Sequence, residues 1–136
     1  MEGFDLVILG AIGPIKRNLQ RTLKTITSSL NARGYVLLDD GYMADESSTH
    51  YDRCLRKPDF YTRIKTAGFK IIQEVIPGKD AIEDSDKIIL DSIKKRANEL
   101  MMKYPEKKEI FKGYLRSQEY GNYILANEMI LGTWLL

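Results

Sequence analysis

The chain has 136 residues, of which 43% are hydrophobic and 29% are charged, and its formal net charge is +2. This size predicts a single domain over residues 1–136, and the near-balance of acids and bases gives no basic footprint for nucleic acid. The single cysteine, Cys54, excludes an intramolecular disulfide, and the sequence shows neither a secretory signal nor the run of about eighteen apolar residues that spans a membrane. We therefore predict a cytoplasmic protein.

The first element is an apolar stretch, FDLVILGAIGPI, at residues 4–15. Leu6–Leu9 is apolar at every position, which is typical of a strand buried on both faces of a parallel sheet. The Gly10-Ala-Ile-Gly13 segment predicts a turn after this strand, and Pro14 suits the first turn of a helix because its missing N–H is unpaired there anyway. We predict that Asp5, at the opposite end of the strand, has a structural role.

A helix is predicted next, because apolar residues recur at steps of three and four from Ile15 to Leu30. Lys16, Arg17, Arg21 and Lys24 lie on its other faces, where a solvated surface is the simplest interpretation. We expect the helix to end near Asn31–Arg33, with Gly34 as a left-handed terminator. The following apolar segment, Tyr35–Leu38, predicts the second strand of a βαβ unit.

The middle of the chain predicts one more helix and one more strand. Residues 42–57 are polar and lack periodicity, so we interpret them as a loop. Pro58 can open a short helix that Gly68 terminates, and Phe69–Ile76 predicts the third strand.

The last third has a different pattern. Residues 80–104 predict a long helix with an apolar stripe of Ile89, Ile93, Ala97, Leu100 and Tyr104. Pro105 starts a second helix, with a stripe of Ile110, Phe111, Tyr114, Leu115 and Gln118, which we expect to end or loosen at Gly121. Met129–Leu136 predicts the final strand. The fold class is therefore α/β, with about four mainly parallel strands, a last strand predicted to be antiparallel, and a two-helix insert at about 80–124.

This order of motifs resembles the C-terminal half of a class I S-adenosylmethionine-dependent methyltransferase with its Rossmann-like, doubly wound sheet. The resemblance rests on FDLVILGAIGPI, LNARGYVLLDDG, the triplet Ala67-Gly68-Phe69, and the pair of helices before a strand that ends in Thr133-Trp134-Leu135-Leu136. It implies that the family's fourth to seventh strands are present. The family's N-terminal glycine-rich cofactor loop has no counterpart in this sequence.

The resemblance also implies a cofactor contact. Leu9, Gly10 and Ala11 match the end of the family's fourth strand, which meets the methionine part of S-adenosylmethionine. A structural turn that positions the following helix is the alternative, and we favour it for this chain by itself.

Asp40 and His50 are the two candidates for chemistry, at and beyond the end of the second predicted strand. Asp39 and Asp40 end that strand at the edge where ligands bind in open α/β sheets, so Asp40 could act as a base or bind substrate, although a solvated turn is the simpler interpretation. His50, the only histidine, belongs to the polar loop predicted beyond the same edge. It has two interpretations, as a base or ligand contact and as a solvated side chain. We expect no metal site, because the sequence offers no closely spaced ligand set.

The tyrosines of the insert have two interpretations. Tyr104, Tyr114, Tyr120 and Tyr123 would line a lid over the substrate if the insert acts as one, or would be core residues with their hydroxyl groups at the rim.

Three functions are considered. The first is the C-terminal part of a methyltransferase-like protein that acts on a small molecule when complete and is inactive as this chain alone. The second is a non-catalytic binding or scaffold subunit. In both, the Leu6–Leu9 strand is expected to be an exposed edge that pairs with a second copy, as a homodimer, or with a companion chain. The third, less favoured, is a flavodoxin-like or receiver-like domain that uses Asp39 and Asp40 for phosphate or Mg²⁺.

Overall fold

The structure, a computed structural model, describes residues 3–10, 18–47 and 54–136. The chain divides into two compact units, one of Met1–Ile76 with Met129–Leu136 and the other of Pro77–Glu128. We call the first the sheet unit and the second the helical hairpin. The predictions for Ala11, Pro14, Ile15, Lys16, Arg17 and His50 lie outside the described residues. The prediction of a single domain with an insert at about 80–124 stays a prediction.

The sheet unit contains four strands, which are β1 (Phe4–Gly10), β2 (Leu30–Met43), β3 (Gln73–Val75) and β4 (Met129–Leu135). Their spatial order is β1-β2-β4-β3. β1 pairs with β2 in parallel, whereas β4 is antiparallel to both β2 and β3. Three of the four strands therefore run in one direction, which confirms the predicted α/β class and the antiparallel last strand.

Helices α1 (Leu19–Thr27) and α2 (Lys57–Thr66) cover one face of this sheet. Buried residues of the strands and of both helices form a single hydrophobic core, whose largest members include Leu9, Leu23, Val36, Leu38, Phe60 and Trp134. Because side chains alternate along a strand, the residues between these core positions point to the opposite face. We call the apolar residues there the open face; they are Phe4, Leu6, Ile8, Tyr35, Leu37 and Leu135.

The boundary between α1 and β2 differs from the prediction. The helix ends at Thr27 rather than near Arg33, and Gly34 lies within β2 instead of terminating a helix. The cause is pairing with β1, since the Phe4 N–H donates to the Ser29 carbonyl at 2.8 Å and Phe4 is aligned with Leu30. A Cβ on Gly34 would lie 2.8 Å from the Phe4 carbonyl oxygen, so this glycine permits the close approach of two strands.

The prediction for α2 is confirmed. Pro58 lies in its first turn, and Gly68 follows its end with a φ of 96°, which is the left-handed conformation. The third strand is shorter than predicted, since only Gln73–Val75 of the expected Phe69–Ile76 is aligned with β4, although the Ile72 N–H also donates to the Leu135 carbonyl at 2.8 Å.

Replacing Gly68 with alanine is expected to lower the free energy of unfolding by about 1 kcal/mol, because a Cβ is disfavoured at positive φ. Space is not the cause, since a Cβ there would have no atom within 4 Å. Gly113→Ala is the control, because Gly113 is equally uncrowded but lies inside the helix Lys108–Asn127 without a positive φ, so alanine should not destabilise it. Equal losses in urea unfolding for the two variants would contradict the conformational explanation.

The helical hairpin consists of α3 (Lys79–Lys103) and α4 (Lys108–Asn127), joined by a 3₁₀ turn at Pro105–Lys107. Ala97 and Ile124 are buried within it, and a salt bridge of 3.0 Å joins Lys94 to Glu119. The prediction that Gly121 ends or loosens the second helix is wrong, because α4 continues through Gly121 to Asn127.

The predicted apolar stripes of the hairpin are only partly buried. Ala97 is buried, but Ile89, Ile110 and Tyr114 are at least half exposed. Tyr120 and Tyr123 are also more than half exposed, so these tyrosines are not core residues of the described structure. No helix of the described residues is both long enough and apolar enough to cross a bilayer.

Candidate functional site

The carboxyl end of β1 provides the first part of the candidate site. Leu9 is buried in the core, whereas Gly10 is exposed and is aligned with Asp39 of β2. A Cβ built on Gly10 would have no atom within 4 Å, so free space borders the main chain at this point. A ligand can therefore approach the peptide groups of Gly10 without displacing any described residue of this chain.

Asp39 extends the edge on the side of the open face. Its carboxylate accepts a hydrogen bond of 3.2 Å from the hydroxyl group of Thr133, which is its aligned residue in β4. Both side chains are solvent-accessible. This pair places a polar border at the carboxyl end of an otherwise apolar face.

Asp40 points to the opposite side of β2 and is partly buried. Burial raises the pKa of its carboxyl group above the usual 3.8, the N–H of Gly41 opposes this by donating a hydrogen bond of 2.8 Å, and the charge of Asp39 raises the pKa further. A carboxylate whose pKa is raised in this way is a better proton acceptor than an exposed one. Of the predicted candidates for chemistry that the structure describes, Asp40 has the environment that suits a base best.

The thiol of Cys54 lies close to Asp40. Burial first, and then the negative charge of Asp40, raise the pKa of Cys54 to about 11, although the N–H of Leu55 opposes them. The thiol donates to the sulfur of Met129 at 3.5 Å. Cys54 is therefore protonated at neutral pH and is not an activated nucleophile.

Asp40→Asn is expected to stabilise the protein at pH 7. A carboxyl group whose pKa is higher in the folded than in the unfolded protein destabilises the folded protein as the pH rises through that range. Removing its charge should therefore raise the stability of the protein above about pH 4 and have no effect at pH 3. The control is Asp91→Asn, since Asp91 is an exposed aspartate of α3. Thermal unfolding at both pH values measures the difference, and a gain at pH 3 as large as that at pH 7 would contradict the explanation.

The structure brings Leu9, Gly10, Asp39 and Asp40 together where β1 ends, as predicted. The prediction that the second strand ends at Asp39 and Asp40 is wrong, because β2 continues to Met43 in its pairing with β4. Asp5 lies at the other end of β1 and accepts a hydrogen bond of 2.7 Å from the side chain of Asn31. Ala11 and His50 are the two predicted site residues outside the described part of the chain. Among the described residues, no group of three or more potential ligands could hold a metal ion.

The sequence did not reveal a second polar group, which surrounds Glu74 of β3. One of its carboxylate oxygens, Oε2, accepts hydrogen bonds from the Tyr61 hydroxyl group at 2.6 Å and from the indole N–H of Trp134 at 2.8 Å. These donors hold the pKa of Glu74 below its usual 4.5, while burial and the bond to Glu74 raise the pKa of Tyr61. The one sign of this polar group in the sequence was an acidic residue, Glu74, within the predicted apolar strand Phe69–Ile76.

Glu74 also lines a shallow cleft of about 400 Å³ together with Lys57, Pro58 and Tyr61. The oxygen that accepts both hydrogen bonds links β3 to β4 and to α2, which is a structural role. The cleft is broadly open to solvent, and its carboxylate is already engaged. We therefore place the candidate site at Gly10 and the two aspartates rather than in this cleft.

Comparison with known proteins shows the fold. No protein-family model matches the sequence, and no curated protein matches it. A S-adenosylmethionine-dependent methyltransferase from Geobacter sulfurreducens, solved with S-adenosylhomocysteine, superposes with a TM-score of 0.74 at 14% identity over 98% of this chain and 57% of that one. The fold is that of part of a methyltransferase. A methyltransferase from Thiobacillus denitrificans, also with S-adenosylhomocysteine, gives 0.73 at 16% identity over 98% and 58%.

A phosphoethanolamine N-methyltransferase from Haemonchus contortus, in complex with phosphomonomethylethanolamine and S-adenosylhomocysteine, has the same fold with a TM-score of 0.68 at 12% identity. The match covers 97% of this chain and 33% of that one. The chain thus spans little more than half the length of the first methyltransferases it matches, and less of the third. The methyltransferase-type fold predicted by resemblance is confirmed.

Proposed function

We propose that this chain is the C-terminal part of a methyltransferase-like protein that uses S-adenosylmethionine and acts on a small molecule when complete. The observation that carries the proposal is the match of nearly the whole chain to about half of solved methyltransferases, while no described residue fills the space beside Gly10 at the ligand edge. The small-molecule class is supported by the phosphomonomethylethanolamine bound to one of these structures and by the balanced charge of this chain. A cytoplasmic location stays a prediction.

In this proposal the main-chain groups of Leu9, Gly10 and Ala11 form one wall of the cofactor site. When bound, S-adenosylmethionine would supply the methyl group of its sulfonium sulfur, and the sulfur would leave as the neutral thioether of S-adenosylhomocysteine. Methyl transfer is an in-line displacement, so the chain's task is to position the reactants, and a base is needed only where the acceptor carries a proton. Asp40, or His50 in the loop beyond it, is the proposed base. One wall holds a ligand poorly, so the isolated chain is expected to be inactive.

Titration of ¹⁵N-labelled protein with S-adenosylhomocysteine tests the proposal. We expect a dissociation constant weaker than about 1 mM, with amide shifts confined to Leu9, Gly10 and their neighbours at the carboxyl ends of β1 and β2. The Gly10→Leu variant should lose these shifts but remain folded, because no described residue of this chain occupies the space beside Gly10. Leu125 of the hairpin provides a reference amide. Shifts centred on the Glu74 cleft, an absence of shifts, or micromolar binding would each contradict the proposal.

The second candidate function is a non-catalytic scaffold subunit, and the exposed edge of β1 favours it. The described residues place no strand beyond β1, so its outer main-chain groups can pair with a companion chain or a second copy. Such a subunit would bind its partner without binding the cofactor. An absence of shifts near Gly10, together with partner binding, would favour this function over the first.

A further inference from the structure

The turn that joins the two helices of the hairpin combines lysines with exposed apolar residues. We call residues 102–112 the hairpin tip. Met102 and Ile110, on either side of the 3₁₀ turn, are 78% and 70% exposed, the largest exposed fractions among the large hydrophobic residues that the structure describes. The tip also contains four lysines and two glutamates. Exposed apolar side chains of this kind mark a site of contact with a protein or a membrane.

Charge is unevenly distributed along the hairpin. Residues 94–118, which include the tip, carry eight lysines and arginines against three glutamates. The rest of the hairpin, at the ends that connect to β3 and β4, carries seven acidic residues against two lysines. The hairpin as a whole has no net charge, but its tip is positive and its base is negative. Such a distribution favours the approach of the tip, rather than the base, to an anionic surface.

Helix stability does not explain the lysines at the start of α4. Lys107 is the N-cap of α4 and makes no side-chain capping bond, and Lys108 is the first residue of the helix. Positive charges are unfavourable at this end of a helix, because its unpaired N–H groups already carry partial positive charge. Proteins break such a local rule at functional sites. An anion at the tip would offset this cost, because lysines and N–H groups would both attract it.

The ring of Tyr104 holds further positive charge at the tip. The ammonium groups of Lys103 and Lys107 lie 5.3 and 5.5 Å from the centroid of this ring. Two like charges are thus held beside one ring, and a phosphate group would relieve their repulsion. Of the two glutamates in the tip, Glu109 is already paired with Lys112 at 2.8 Å.

The shape and composition of the tip favour a membrane over other anionic partners. The end of two adjacent helices, each about 10 Å across, presents roughly 200 Å², against about 800 Å² for each partner of a stable protein–protein interface. A nucleic acid would use the lysines but leave Met102 and Ile110 in water, because contacts to phosphate need no apolar group. A bilayer uses both, since lysines contact lipid phosphates while apolar side chains enter between the headgroups.

We propose that the hairpin tip docks on the surface of a membrane that contains acidic lipids. Met102 and Ile110 enter the headgroup layer, and Lys103, Lys107 and Lys108 contact the lipid phosphates. This is a peripheral contact rather than a membrane span. It goes beyond the proposed function and holds whether or not the chain binds S-adenosylmethionine.

Flotation of the full chain with lipid vesicles tests the proposal. One set of vesicles contains equal parts of phosphatidylglycerol and phosphatidylcholine, and the other contains phosphatidylcholine alone. We expect partitioning to be about tenfold or more stronger with the acidic set and to weaken at high salt, because each lysine beside an anionic bilayer contributes about fivefold.

A pair of double variants separates the tip from the net charge of the chain. Lys107→Gln with Lys108→Gln should weaken partitioning onto the acidic vesicles about twentyfold. Lys79→Gln with Lys87→Gln is the matched control, since both are exposed lysines of α3 at the base of the hairpin. It removes the same charge and should change partitioning less than about threefold, because charges far from the bilayer are screened.

Substitution of an apolar residue provides the second measurement. Ile110→Ser should weaken partitioning onto the acidic vesicles about fivefold, because its side chain no longer gains from leaving water. Ile88→Ser is the control and should have no effect, since Ile88 is 69% exposed but lies in α3 outside the tip. Circular dichroism checks that every variant remains folded.

Several results would overturn the proposal. They are an absence of binding, equal binding to both sets of vesicles, and equal losses for the tip and base lysine pairs. Binding that heparin abolishes and that Ile110→Ser leaves unchanged would also overturn it, because the partner would then be a soluble polyanion.

Discussion

Replacing Trp134 with alanine is expected to lower the free energy of unfolding by about 3–5 kcal/mol, the largest effect of any single substitution proposed for this chain. Trp134 has no solvent exposure, and its ring lies 4.7 Å from that of Phe60 and 6.1 Å from that of Tyr42, measured between ring centroids. It sits in β4 between β2 and β3, aligned with Leu38 and Glu74. Its loss would leave a cavity where the sheet meets α2.

Trp134→Phe separates packing from hydrogen bonding. Phenylalanine preserves most of the ring contacts but lacks the indole N–H that donates to Glu74. We expect a loss of about 1–2 kcal/mol, well below that of the alanine variant. Urea unfolding followed by circular dichroism measures all of the variants, because Trp134 is the only tryptophan and its fluorescence is lost on substitution.

Tyr123→Ala is the control for the aromatic substitutions. Its side chain is 54% exposed in the hairpin, so the expected change is within about 0.5 kcal/mol. A loss from Trp134→Ala no larger than that from Tyr123→Ala would show that Trp134 does not hold the sheet unit together.

The local signals in the sequence located most of the elements. Pro58 and Gly68 bounded α2 because a proline in the first turn and a glycine at positive φ are properties of the local chain. The alternation of apolar runs with helical stripes likewise gave the order of strands and helices in the sheet unit. These signals depend on neighbours in sequence and need no knowledge of distant contacts.

The errors arose where distant contacts decide the structure. Leu30 continues the helical spacing, and the helix was predicted to end near Asn31–Arg33, but these residues form the start of β2 because Leu30 pairs with Phe4 of β1, more than 20 residues earlier. Gly121 stays within α4, since one glycine weakens a packed helix by only about 1 kcal/mol. Ile89 and Ile110 keep helical spacing although they are exposed, because spacing identifies a stripe but not whether another element covers it.

The candidate site was predictable in position but not in chemistry. Leu9 and Gly10 end β1, and Asp39 of the parallel strand β2 is aligned with Gly10, so their proximity to Asp40 followed from the strand order. The raised pKa of Asp40 depends on burial around β2, and the hydrogen bonds to Glu74 join residues 13 and 60 positions apart in sequence. The open face was also not predicted, because an apolar strand gives no sign of which face lacks a cover.

Gly41→Ala is expected to lower the free energy of unfolding by about 1–3 kcal/mol, because the site is already filled. A Cβ on Gly41 would lie 2.9 Å from the carbonyl oxygen of Ile130 and 2.7 Å from a methyl carbon of Leu131. The leucine side chain can move, but the carbonyl oxygen belongs to the main chain of β4, which pairs with β2 at this point. The added carbon therefore pushes two paired strands apart.

Gly10→Ala is the matched control, since Gly10 also lies near the carboxyl end of a strand but has free space where its Cβ would be. We expect its unfolding free energy to be unchanged or slightly higher, because alanine loses less conformational freedom on folding than glycine. Urea unfolding compares the two variants. If Gly10→Ala proved as destabilising as Gly41→Ala, the space beside Gly10 would be occupied by the chain itself, and a ligand could not use it. If only Gly41→Ala is destabilising, Gly41 is required for the pairing of β2 with β4, whereas the described residues leave the position beside Gly10 open to a ligand.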